Sequence, residues 1–177
     1  MQISLTVIKA CLLAAGKKDI RCYLNGLHVT ATHIVGCDGH MLVAVEHKQV
    51  VPGWVDVTVP RDRVELAIKA AGKNANLDLT ADSIGGIPYS PIDGNYPDWN
   101  RVIPATIPEF QGIAVQVNPE LFAAAAKAAS LLGSGSWPEF YHFDGKIVAK
   151  PTDAIVLVMG FRDSIPRQPV AEAAEAT

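Results

Sequence analysis

Three histidines, His33, His40 and His47, lie near one another in the chain, with Asp38 among them. Imidazole and carboxylate groups hold metals and move protons. Their spacing here argues against both uses. His40 and His47 stand seven residues apart, so on one straight strand they would face opposite sides. No H-x-x-x-H run and no paired cysteines accompany them. Ser134 and Ser136 lack a G-x-S-x-G frame on an α/β pattern, and no P-loop lysine is present. The chain therefore reads as a non-enzyme, and no metal or cofactor is expected.

The chemistry that remains is recognition. Val35-Gly-Cys-Asp-Gly-His-Met-Leu-Val-Ala-Val45 joins a turn to a strand. Asp38-Gly39 is a turn dipeptide, because glycine accepts positive φ and the Asp side chain bonds the backbone ahead of it. Met41 to Val45 is an apolar, partly β-branched run, as in a strand with a buried face. Tyr23 to Thr30 reads as a neighbouring strand around a glycine break. The turn then lies at an exposed rim, where a scaffold presents binding groups.

Composition narrows the class further. Hydrophobic residues make up 49% of the 177 residues and charged ones 19%, which is a globular balance. A net charge of −3 excludes avid nucleic-acid binding by the whole surface but allows a local basic face. Cys11, Cys22 and Cys37 show no C-x-x-C spacing and read as reduced thiols of a cytoplasmic protein. No signal peptide or membrane span is expected, since the longest apolar run, Ala154 to Gly160, is of strand length.

The elements that carry these residues repeat three times as strand, helix, strands, so the fold class is α+β. A strand over Gln2 to Val7 leads to a helix over Ile8 to Lys17, with strands over Arg21 to Thr30 and Thr32 to Glu46. Val55 to Val59 leads to a helix over Pro60 to Ala71, with short strands at Asn76 to Thr80 and Ile84 to Ser90. Ile113 to Val117 leads to an Ala-rich helix with Asn118 as its cap and Pro119 in first position, running to Ser130. Glu139 to Phe143, Lys146 to Lys150 and Ala154 to Phe161 complete the third copy. Asp163 to Thr177 reads as a polar, mobile tail.

Tyr23-Leu-Asn-Gly-Leu, Cys37-Asp-Gly-His-Met-Leu-Val-Ala-Val, Tyr96-Pro-Asp-Trp-Asn-Arg-Val-Ile-Pro104 and Val158-Met-Gly-Phe-Arg162 occur in that order. They resemble the YLNG, TDGHRLA, FPDYRRVLP and VMPMR segments of the bacterial replicative sliding clamp, the β subunit of DNA polymerase III. The resemblance implies DNA-clamp-like repeats. Residues 1–104 would form one whole clamp domain like the family's middle one, and 105–162 half of its last domain, followed by the 163–177 tail. It implies a DNA replication processivity factor that encircles or contacts duplex DNA and tethers client proteins through an apolar cleft. The cleft would be lined by Leu24, Cys37, Gly39, His40, Met41, Leu42, Pro97, Arg101, Val102, Leu157, Val158, Met159, Gly160, Phe161 and Arg162. Apolar anchors beside a few polar donors suit a short peptide.

The sequence departs from the family at several of these positions. Met41 stands for an arginine, Cys37 for a threonine, Gly160 for a proline, Asn100 for an arginine and Phe161 for a methionine. The cleft stays apolar, with an altered peptide preference. The reduced size suggests a phage or mobile-element source.

In the family the helices face DNA. The DNA-facing set here would be Lys9, Lys17, Lys18, Arg21, Arg61, Arg63, Lys69, Lys73 and Lys127, acting on phosphates without reading bases. Family rings hold twelve such units, so three units per chain imply a homo-tetrameric ring, joined from the third unit to the next chain's first. A dimer of mutually completing half-domains is the competing arrangement. The alternative function is a peptide-binding module that forms no ring and captures clamp-binding motifs.

Overall fold

The computed structural model describes residues 1–49, 51–72, 75–103, 117–135, 138–143 and 145–160. Most of the strand expected at 113–117, together with Lys73, Phe161, Arg162 and the 163–177 tail, lies outside the described residues.

Unit 1 consists of β1 (Gln2–Ser4), α1 (Leu5–Ala14), β2 (Gly26–Val29), β3 (His33–Cys37) and β4 (Met41–Glu46). Unit 2 consists of β5 (Val57–Pro60), α2 (Arg61–Ala70), β6 (Asn76–Asp78), β7 (Ser83–Ile84) and β8 (Ile87–Pro88). Unit 3 contains α3 (Pro119–Ala129), β9 (Tyr141–Phe143), β10 (Lys146–Ala149) and β11 (Ala154–Met159). Single 3-10 turns, Cys22–Leu24 and Trp99–Val102, fill parts of the connections.

The first strand is shorter than expected. Ser4 takes over as a helix cap, its hydroxyl accepting from the Thr6 N–H at 3.3 Å, so α1 starts at Leu5. Asn118 caps α3 in the same way, accepting from Glu120 at 2.9 Å.

The strands do not stay within their units. β5 of unit 2 pairs with β2 of unit 1, and β1 of unit 1 pairs with β6 of unit 2, both antiparallel. The large sheet runs β5-β2-β3-β4-β11-β10-β9, so unit 3 joins unit 1 through β4 and β11. Leu42 lies opposite Leu157 and Met41 opposite Val158. The spatial order of units is therefore 2-1-3, with unit 1 in the middle. That corrects the expected third-to-first contact between chains. The β4 edge of unit 1 is already filled by β11 of the same chain.

All three helices lie on one face of the large sheet, with α1 between α2 and α3. Ile8, Leu27, Val29, Ile34, Met41, Val43, Val59, Val64, Val156 and Val158 form the core beneath them. Full burial of such side chains stabilises by roughly 1.5–3 kcal/mol each. Gly36 lets α1 sit directly on β3, because a Cβ there would lie 1.9 Å from the Cys11 carbonyl oxygen.

Candidate functional site

β4 and β11 each send alternate side chains to opposite faces of the sheet. Val35, Leu42, Ala44, Val148 and Leu157 point away from the helices and form a second apolar cluster around Trp99. The segment from Tyr96 to Ile103 crosses this outer face. Tyr96 stacks flat on His28, with ring centroids 4.3 Å apart, and Trp99 tilts against His33 at 4.9 Å. Cys37, Val102, Ile103, Ile155 and Met159 edge the cluster and stay partly exposed. Together they form an apolar seam along β4 and β11.

The seam has a polar end and a hollow end. At the first, Asp38 Oδ1 accepts from the His40 and Met41 N–H groups, both at 2.8 Å, and Gly39 has φ 89°. Arg21 braces this turn by donating to the Asp38 carbonyl at 2.9 Å. The same guanidinium, hydrogen-bonded to Asp19, holds that carboxyl down to about 2. His40 is exposed beside the turn, its backbone N–H bound to Asp38 and its ring near enough to Asp19 to act on that carboxylate. At the other end a hollow of about 320 Å³ is lined by residues including His33, Glu46, Trp99, Ile103, Asp153 and Ile155. Burial lowers the pKa of His28 and of His33, so both rings stay neutral to below the usual imidazole range.

No family model matches the sequence, and no curated protein does. Solved structures do match. The DNA polymerase III subunit beta from Pseudomonas aeruginosa superposes with a TM-score of 0.65 at 16% identity, over 92% of this chain and 66% of its own. "Caulobacter crescentus pol III beta" gives 0.60 at 19% identity, over 91% and 65%. A sliding clamp (DNA polymerase III subunit beta) from Bartonella birtlesii, bound to griselimycin, gives 0.60 at 17%, over 92% and 65%. This chain has the sliding-clamp fold. It spans about two thirds of the length of the clamps it matches.

Within that fold the expected cleft residues separate. Cys37, Leu42, Val102, Leu157 and Met159 come together on the outer face. Pro97 and Arg101 are exposed on the crossing segment, Gly39 and His40 lie in the rim turn, and Gly160 follows β11. Leu24 is buried in the Cys22–Leu24 turn. Met41 and Val158 are a correction: both point to the helix side, Met41 only 1% exposed, and belong to the main core. Because both faces of β4 are covered, the run Met41 to Val45 is apolar throughout and alternation could not tell the faces apart. Trp99, Tyr96 and the hollow were not among the expected site residues. A large aromatic inside a proline-flanked segment, Trp99, was the available signal.

The basic set separates as well. Lys9, Lys17, Lys18, Lys69 and Lys127 are exposed. Arg63 pairs with Asp62 at 3.3 Å. Arg61 is a second correction. Its Nη1 donates to the Leu12 and Ala15 carbonyls at 3.0 and 2.7 Å, and its Nε to Glu65 at 2.9 Å. It satisfies the open carbonyl end of α1 and offers little to a phosphate. Arg21 is likewise committed, to Asp19 and the Asp38 turn. Among the described residues no group of three or more His, Cys, Asp or Glu could hold a metal ion, and no helix is long and apolar enough to cross a membrane.

Proposed function

We propose that the chain acts as a sliding-clamp-like processivity factor that holds duplex DNA on its helix layer and tethers replication proteins by short apolar peptides on the outer sheet face. The observation that carries this reading is the seam of Cys37, Val102, Ile155 and Met159, half-open above a sealed cluster at the junction of units 1 and 3. A half-open apolar strip with polar groups at its ends suits an extended peptide with two or three apolar anchors. The griselimycin-bound clamp among the similar structures supports a ligandable surface on this fold. The exposed lysines on α1, α2 and α3 would give weak, sequence-independent phosphate contacts.

Four chains would supply the twelve units of a closed ring. The commitment of Arg21 and Arg61 to internal partners favours a second reading, a peptide-capturing module without DNA, because it thins the positive face. Two titrations separate them. Apolar clamp-binding peptides should saturate the protein under either reading. Duplex DNA should bind with a salt slope that falls when Lys9, Lys17, Lys18 and Lys69 are replaced by Ala, by about 0.9 for each phosphate no longer neutralised. Peptide binding without any salt-dependent DNA binding selects the second reading, and no peptide binding defeats both.

A further inference from the structure

Two kinds of junction join units inside this chain. Units 1 and 2 exchange their opening strands, β5 lying on β2 and β1 on β6. Units 1 and 3 instead pair their closing strands, β4 and β11. Each unit thus has an exchange side and a closing side. Unit 1 has both filled. Unit 2 has used its exchange side, and its closing strand β8 has an outer edge with no strand partner among the described residues. Unit 3 has used its closing side. β9, its counterpart of β2, has no strand partner on its outer edge among the described residues.

The side chains mark the same opening. Ser4, Pro60 and Asn118 are the cap residues of α1, α2 and α3, which sets the three helices in register. The fourth helical residue is then Ile8, Val64 and Phe122. Ile8 is 2% exposed and Val64 0%, whereas Phe122 is 37% exposed. Phe122 tilts against Phe140 at 4.9 Å, and Tyr141, on β9, is 39% exposed. A position that is core where units 1 and 2 exchange is open in unit 3. Bare strand edges and clustered exposed aromatics are features that folded proteins cover.

We propose that a second copy of this chain completes unit 3 by a two-fold contact of unit 3 against unit 3, burying Phe122 of both copies. The occupant has to present an exchange side, and among the described units only unit 3 has one unfilled. A head-to-tail contact would set the exchange side of unit 3 against the closing side of unit 2, a pairing neither internal junction uses. Like against like is an isologous contact, which closes on itself. The resulting dimer carries six units with a β8 edge at each end. A second like-to-like contact there would join two dimers into the four-chain ring of the clamp reading, so the assembly always contains an even number of chains. The proposal rests on that reading only for the ring and needs neither DNA nor peptide.

The test is the mass of the full chain by sedimentation equilibrium at micromolar concentration. An even number of chains is expected. Phe122→Glu should lower the mass by a factor of two or more with the circular dichroism unchanged. Should that variant fail to fold, Phe122→Gln is read the same way. A photo-reactive benzoylphenylalanine at 122, in a mixture of isotope-labelled and unlabelled chains, should cross-link copies within residues 119–143. A monomeric wild type, an unaltered mass for the folded variant, or inter-chain cross-links into unit 2 would each overturn the contact. Any of these leaves the peptide seam to stand or fall by its own titration.

Discussion

The two faces of the large sheet draw on nearly the same residue types and end differently. Inward, Met41, Val43, Val45, Val156 and Val158 are sealed under three helices. Outward, Leu42, Ala44 and Leu157 are sealed only in the middle, while Cys37, Ile155 and Met159 remain half-open beside the Tyr96 to Ile103 segment. The inner face is finished by the chain itself, and the outer face keeps an apolar seam partly open. Neighbouring residues on one strand therefore meet different degrees of closure.

Charge on each face distinguishes them most strongly. Met41→Glu or Val158→Asp places a carboxylate in the sealed core and should destabilise by about 4 kcal/mol or more, read by chemical denaturation. A folded protein of normal stability would mean that the inner face is not sealed. Arg61→Ala comes next on that side. It strips two carbonyls at the end of α1 of their donor and should cost about 2–3 kcal/mol, with DNA affinity little changed. On the outer face, Met159→Lys should cost about 2 kcal/mol of peptide affinity while stability changes by less than about 1 kcal/mol. Loss of both in equal measure would erase the distinction.

The smallest effect is one of pH. Burial is the main cause that lowers the pKa of His28 and of His33 below the ordinary 6.5. The unfolded chain then takes up protons first as pH falls. Their contribution is whole above pH 6.5 and is lost as pH drops through the folded values. Melting temperature should fall in mildly acidic buffer, and His28→Phe with His33→Phe should flatten that fall.

Much of the fold was legible. Helices expected over Pro60 to Ala71 and Asn118 to Ser130 lie at Arg61–Ala70 and Pro119–Ala129, because proline and asparagine mark their starts. The pattern starts the first helix too late, at Ile8, since Ile3, Leu5 and Val7 alternate like a strand although Ser4 caps a helix. What the pattern could not carry was which strands pair. Edge choice depends on tertiary packing, so the order 2-1-3 and the filling of β4 by β11 were hidden. Of the expected cleft residues, Cys37, Leu42, Leu157 and Met159 share the outer face, while Met41 and Val158 lie in the main core. In a strand covered on both sides, periodicity carries no sign of direction. Arg61 is ambiguous for another reason: a basic residue opening a helix looks the same whether it meets a neighbouring helix end or solvent.

The pairing of β4 with β11 also sets an order of events. Met41 and Val158 meet across 117 residues of chain. Loop closure of that length raises the entropy cost of the contact slowly, but it delays the contact that repays it. During synthesis, strands β2, β3 and β4 are finished long before β11 exists. For that interval β4 is an edge that is apolar on both faces, the kind of edge that recruits the wrong strand. Mispairing at that edge should grow with concentration and with the delay before β11 arrives, so refolding yield should rise on dilution.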